Sequence, residues 1–231
     1  MTSAGTGADL YNYTHFSPND YHFEHFTGLA AGDHFQDARV YTLDGQPVHL
    51  SDYLRDKPLV LETGSLTCPM YAQSLPGMQA LIDQYPELDF VLLYVREAHP
   101  GERQHAHRDQ ADKLSAAQRS ATAYQEHRVT LVDDVDGAAH TLYGAMPNSI
   151  YVIAPDGTIL FRSIWNNPPE IAAALGQIAH GHRVASRDFK PIPPFAIGAV
   201  RTLLRGGLVA LWDLAVGLPR LVFNHKKVGN L

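Results

Sequence analysis

Cys68 is the single cysteine among 231 residues, and its surroundings are those of a reactive thiol. It follows the apolar run Pro58-Leu59-Val60-Leu61-Glu62-Thr63 and sits in the segment Gly64-Ser65-Leu66-Thr67-Cys68-Pro69, just before a helical pattern. A thiol between a buried strand and a helix start faces backbone N–H groups and the positive end of the helix, and both favour thiolate over thiol. The placement predicts a thiol pKa brought down from about 8.5 and a thiolate nucleophile. Ser65 and Thr67 offer hydroxyls nearby, and Thr67 is expected to touch the substrate. Pro69 opens the helix without forfeiting a needed hydrogen bond. The plainer alternative is an inert cysteine packed as a small hydrophobe, which the strand-to-helix position disfavours.

One cysteine closes no internal disulfide and forms no Cys-x-x-Cys pair, so a redox cycle at Cys68 requires an external thiol reductant, through a sulfenic acid or mixed disulfide. No other cofactor is implied. The 13 histidines include His22-x-x-His25 and His105-x-His107 with His99, but zinc wants four N or S ligands and the one thiol is better used as a nucleophile. No metal site is expected.

Elements that would position the thiol can be read on either side of it. Alternation in Ala38-Arg39-Val40-Tyr41-Thr42, the Asp44-Gly45 turn and Val48-His49-Leu50 predict a hairpin, after which Ser51 caps a short helical turn. Buried strands are expected at 58–63 and 89–95, with a helix over 70–85 interrupted by Pro76-Gly77 and a solvent-facing helix over 108–126. Strand and helix alternate again at 129–132 and 136–143. A second hairpin, 149–153 with 158–161, turns on Ala154-Pro155-Asp156-Gly157, and Pro168 opens a final helix to about residue 179. The order predicts an α/β protein of thioredoxin-like fold, with a mixed central sheet, helices on both faces, an N-terminal hairpin and a C-terminal helical tail. In that fold Pro147, just before the strand at 149, stands where a cis-proline beside the reactive cysteine holds backbone groups open to substrate.

The chain divides into an arm (1–32) rich in aromatics and histidine, a domain (33–182), and a linker with an apolar, basic tail (183–231). From Arg201 onward five basic residues face one acidic residue, a net of +4 that leaves −10 for the first 200. The overall charge of −6 argues against nucleic-acid binding. Charges interrupt the tail, so an interfacial or docking helix is expected there, in peripheral membrane contact, in a homodimer or against the domain, rather than a span. The first thirty residues lack a basic start and an apolar core, which points to the cytoplasm.

Gly64-Ser65-Leu66-Thr67-Cys68-Pro69 resembles the iodothyronine deiodinase motif, with Cys68 at the selenocysteine position. Val95-Arg96-Glu97-Ala98-His99-Pro100, His107-Arg108 and Asp112-Lys113-Leu114-Ser115-Ala116-Ala117 are similar to later segments of that family, and the similarity runs over 58–180. The resemblance implies that Glu97, His99 and His107 surround Cys68. The thiolate would attack a halogen on an aromatic ring, a histidine would protonate the ring carbon, and Glu97 would orient an imidazole. Leu66 replaces the second cysteine of some members, and Ser149 occupies a region where members carry a substrate-binding arginine. The expected substrate is accordingly a halogenated aromatic or related electrophile. Two other readings remain: a one-cysteine peroxiredoxin-like peroxidase, whose motif is broken at Leu61 and Ser65, and a thioredoxin-fold adaptor docking through its tail.

Overall fold

The structure, a computed structural model, describes residues 11–21, 26–185, 188–194 and 196–229. Its centre is a seven-stranded mixed sheet in the order β2-β1-β5-β4-β3-β6-β7. The strands are β1 (Arg39–Thr42), β2 (Pro47–His49), β3 (Leu59–Gly64), β4 (Asp89–Tyr94), β5 (Val129–Asp133), β6 (Ile150–Ile153) and β7 (Ile159–Ser163). β3, β4 and β5 run parallel, while β1 and β6 flank them antiparallel. Both expected hairpins form, β1 with β2 and β6 with β7.

Helices cover both faces. They are α1 (Pro69–Gln84), α2 (Gln110–Tyr124), α3 (Ala138–Leu142) and α4 (Pro168–Ala179), followed by α5 (Ala196–Gly206) and α6 (Leu208–Lys227) in the tail. α1 runs through Pro76 as one helix. Asp109 caps α2 and Asn167 caps α4, each accepting from a first-turn amide, a contact worth about 1 kcal/mol. α2 is less solvent-facing than its composition implies, because Lys113, Ala116, Ala117 and Ser120 are buried. The short turn after β2 is a 3-10 helix over Leu50–Tyr53. It is held by the Asp52 and Asp37 carboxylates, which accept from the His49 and Ser51 amides, rather than capped by Ser51.

Period-two alternation in β3 sends Leu59 and Leu61 into one core layer with Leu93, Leu131 and Tyr151, and Val60 into the other with Met78, Ile150, Phe161 and Ile171. Each such buried side chain contributes about 1.5–3 kcal/mol. The parallel register pairs Gly64 with Tyr94, so the segments leaving the ends of β3 and β4 emerge side by side. Those segments carry Cys68 and Glu97-Ala98-His99.

The tail is bound to the domain at a tight corner. Gly206 O accepts from the Arg103 and Gln104 amides, and the Glu102 carboxylate accepts from the Leu208 and Val209 amides at the start of α6. A Cβ on Gly101 would lie 2.6 Å from Gly206 O, so only glycine allows that approach. Gly207, at φ 116°, makes the turn between the two helices. On the outer side of α6, Leu208, Trp212, Val216 and Phe223 are exposed, with Arg220, Lys226 and Lys227 also at the surface. Among the described residues no helix is long and apolar enough to cross a membrane.

Candidate active site

Cys68 is the N-cap of α1, as its strand-to-helix position predicts, and its Sγ accepts from the Tyr71 amide at 3.4 Å. Gly64 makes room for this turn, since a Cβ there would meet the Tyr71 ring at 2.6 Å. Cys68 as a residue is 1% exposed.

Burial reverses the expected direction of its pKa. Desolvation pushes the thiol up to about 12; the Tyr71 and Met70 amides pull it down, and the buried charges of Glu97 and Glu62 raise it further. The helix start acts as expected, but taking an anion out of water next to two carboxylates outweighs it. In this closed form Cys68 is a protonated thiol.

Behind Cys68 lies a hydrogen-bonded wall. The Thr67 amide and hydroxyl donate to one Glu97 oxygen at 2.9 and 2.6 Å, and the Tyr94 hydroxyl donates to the other. His107 Nε2 stands 3.4 Å from that second oxygen, both side chains being fully buried. Burial raises the Glu97 pKa, but His107, Thr67 and Tyr94 together hold it below the usual carboxylate value. Desolvation lowers His107 against the pull of Glu97. The Thr67 hydroxyl also accepts from the His99 amide at 3.0 Å, and Ser65 accepts from the Ala98 amide at 3.2 Å. The two segments are thereby tied together atom by atom.

In front of Cys68 lies an apolar cavity of about 380 Å³, lined by Cys68, Pro69, Met70, His99, Pro147 and Trp165, by Phe16 and Tyr21 of the arm, and by Leu214, Leu218, Leu221, Val222 and His225 of α6. Among its described lining residues none is Asp, Glu, Lys or Arg. The His99 ring packs on Phe16 with centroids 4.2 Å apart, and its Nδ1 is buried without a hydrogen-bond partner. Burial takes its pKa down to about 3, against the raising charge of Glu97, so the ring is neutral.

The expected site residues therefore separate into two groups. Cys68, His99 and Pro147 face the cavity. Glu97, His107 and Thr67 form the wall, and Thr67 does not line the cavity, its buried hydroxyl donating to Glu97 and accepting from the His99 amide. Glu97 lies against His107, not hydrogen-bonded to His99. Pro147 lines the cavity as expected, but no cis peptide occurs among the described residues. The chain reaches Pro147 through Gly144 and Ala145, both at positive φ, a turn that lets Met146 O accept from the Thr63 hydroxyl and meet His140 Nε2. His105 points outward beside Asp112, away from His107, and His22 and His25 lie outside the described residues. Among the described residues no three His, Cys, Asp or Glu side chains converge to hold a metal ion.

Several residues escaped the sequence reading. Glu62, inside the buried strand, accepts from Ser74, Asn148, Asn166 and Arg128, and Arg128 is closed by Glu126. A carboxylate in an otherwise apolar strand was the available signal, since a buried charge demands partners. The arm gave no comparable signal. Its rings surround Arg96, whose guanidinium carbon lies 5.0, 4.9 and 5.4 Å from the ring centroids of Tyr11, Tyr13 and Tyr21. This clamp carries Phe16 onto His99.

Known proteins share both fold and site segments. Solved structures with this fold include an uncharacterized conserved protein from Geobacillus kaustophilus, at TM-score 0.55 and 17% identity over 71% of this chain and 88% of that one. A putative thiol:disulfide interchange protein DsbE from Chlorobium tepidum aligns at TM-score 0.52 and 20% identity, over 66% of this chain and 98% of that one. Such neighbours bear out the thioredoxin-like fold. Thyroxine 5-deiodinase of Ovis aries is 31% identical over 137 residues, 54% of this chain and 46% of that protein. Type I iodothyronine deiodinase of Xenopus laevis is 29% identical over 144 residues, 57% of this chain and 56% of that protein. The chain thus spans about half the length of these curated relatives. The family model described as iodothyronine deiodinase matches residues 13–167, which include Cys68, Glu97, His99, His107 and Pro147 but not the α6 side of the cavity, and the chain belongs to the iodothyronine deiodinase family.

Proposed function

We propose that this protein reductively dehalogenates an apolar halogenated aromatic, with Cys68 as nucleophile and His99 as the proton carrier. The observation that carries this reading is that Cys68 and His99 line one cavity without described charged residues, while Glu97 stands charged behind them. A protonated thiol and a neutral imidazole are complementary. His99 takes the thiol proton as the sulfur attacks the halogen, and the imidazolium returns it to the ring carbon as the carbon–halogen bond breaks. The products are the dehalogenated ring and a sulfenyl halide on Cys68, so the halogen is replaced by hydrogen and the sulfur is oxidised by two electrons. Glu97 raises the proton affinity of His99, so its negative charge favours the imidazolium that forms in passing.

Two equivalents of an external thiol then restore Cys68, since the chain has no second cysteine. The apolar lining favours a ring without a carboxylate of its own, because a buried anion there would meet no described cation. The test is halide release from iodinated phenols with a thiol reductant, beside a peroxide-consumption arm. Release that disappears in Cys68→Ser supports the reading; peroxide loss without halide release replaces it with a thiol peroxidase. The outer face of α6, apolar with basic neighbours, supports peripheral contact with an anionic lipid surface as the place of action.

A further inference from the structure

A second cleft, of about 520 Å³, opens between α1, α2 and α5 on the other side of Pro69. Its character is opposite to that of the apolar cavity. Gln73, Thr122 and Gln125 contribute polar groups, and Arg201 and Arg205, one helical turn apart on α5, both line it. Among the described residues neither arginine is in an ion pair, and Arg205 Nε is buried without a hydrogen-bond partner. The Arg205 guanidinium lies 4.6 Å over the Tyr124 ring. Tyr124 in turn packs against the cluster holding Cys68, and its hydroxyl donates to Leu66 O at 2.7 Å, two residues before the thiol. Pro69 and Pro194 belong to both the cleft and the cavity. A cationic, ligand-sized cleft thus adjoins the reactive thiol through Pro69 and Tyr124.

We propose that this cleft binds the reducing co-substrate, a small thiol bearing carboxylates such as glutathione, with its carboxylates on Arg201 and Arg205 and its sulfur directed over Pro69 to oxidised Cys68. The inference rests on the dehalogenation reading for what oxidises Cys68. Planar guanidinium groups bind carboxylates bidentately, and one held on Tyr124 is already oriented to do so. Size follows from access: a cysteine that is 1% exposed beneath α5 and α6 admits a small thiol far more readily than the rigid active-site face of a protein dithiol. The first reductant thiolate attacks the Cys68 sulfur and expels halide, leaving a mixed disulfide. A second attacks the reductant sulfur of that disulfide, Cys68 leaves as thiolate, and the reductant departs as its disulfide. Two thiols thereby supply the two electrons and two protons that replace a halogen by hydrogen and release hydrogen halide.

The test uses the full chain and no aryl halide, so it stands apart from the dehalogenation reading. Methyl methanethiosulfonate converts the only cysteine to its methyl disulfide, and mass spectrometry follows loss of the methylthio group to glutathione or to neutral 2-mercaptoethanol. Saturation with glutathione, a linear dependence on 2-mercaptoethanol and a salt-sensitive preference for glutathione are expected. In the Arg201→Ala/Arg205→Ala variant the ratio of the two rate constants should fall about tenfold, with partial recovery in Arg201→Lys/Arg205→Lys. If the reagent does not reach Cys68, calorimetric binding of S-methylglutathione to native and doubly substituted protein decides instead. An unchanged ratio, an equal loss with both thiols, or S-methylglutathione binding that is absent or indifferent to the arginines overturns the assignment.

Discussion

Glu97 and Thr67 behind Cys68 and the cavity in front of it handle buried polar atoms in opposite ways, while the His107 ring nitrogens, buried beside Glu97, also lack hydrogen-bond partners. In the wall, both Glu97 oxygens accept hydrogen bonds, and the Thr67 hydroxyl both donates and accepts. In the cavity, His99 Nδ1 has no partner and the Cys68 sulfur has one long amide contact. Satisfied atoms fix geometry, whereas bare ones keep their capacity to react. The protein thus orders the two chain segments through Glu97 and Thr67 and leaves His99 Nδ1, of the proposed reactive pair, unsatisfied on the other side, at a cost of about 1–3 kcal/mol for a buried polar atom without a partner.

Removing one member from each side should separate these roles. The largest effect belongs to the cavity: His99→Ala should lower kcat for dehalogenation by about 10²–10⁴, as loss of the proposed proton carrier would. Near-normal turnover in this variant would remove His99 from the mechanism. Glu97→Gln should lower the melting temperature, at a stability cost of about 1–3 kcal/mol, because an amide cannot accept from Thr67 and Tyr94 together. The same substitution should make Cys68 more acidic, since Glu97 raises the thiol pKa. Alkylation that slows in Glu97→Gln would show that its charge does not act on the sulfur.

The pH profile gives a finer test. A thiol raised by burial stays protonated until pH passes its elevated pKa, so alkylation of the unliganded native protein should climb above pH 8.5 and reach its midpoint above the ordinary thiol value of about 8.5. A midpoint below that value would mean that the cavity is open and hydrated in solution. The smallest effect is expected farthest from the site. Trp212→Ser with Phe223→Ser should reduce partitioning onto anionic vesicles while leaving halide release from a soluble substrate within about twofold, as exposed positions are usually tolerant. Equal binding by native and substituted protein would assign that face to something other than lipid.

Much of this comparison was legible in the residues. The apolar run into Cys68 and the hairpin turns at Asp44-Gly45 and Asp156-Gly157 act over a few residues, so their chemistry fixes local structure without help from the rest of the chain. Resemblance points to Glu97, His99 and His107 as a group, but which of them faces the cavity depends on the pairing of Gly64 with Tyr94 across β3 and β4. That pairing turns Glu97 inward to Thr67 and places His99 against Phe16, a residue 83 positions away in sequence.

What the sequence determined by itself was the place of the single cysteine at a strand-to-helix turn and the order of elements, and the proposed nucleophile and outside reductant follow from that one thiol. Only the tertiary structure decided the protonation of the pair. A helix start within three residues favours the thiolate locally, yet the arm, α5 and α6 exclude water from it, and desolvation summed over all those elements exceeds the pull of two amides. Burial is a property of the assembled fold and has no short-range signature, which is why the sign of the Cys68 shift was the feature that local sequence could not supply.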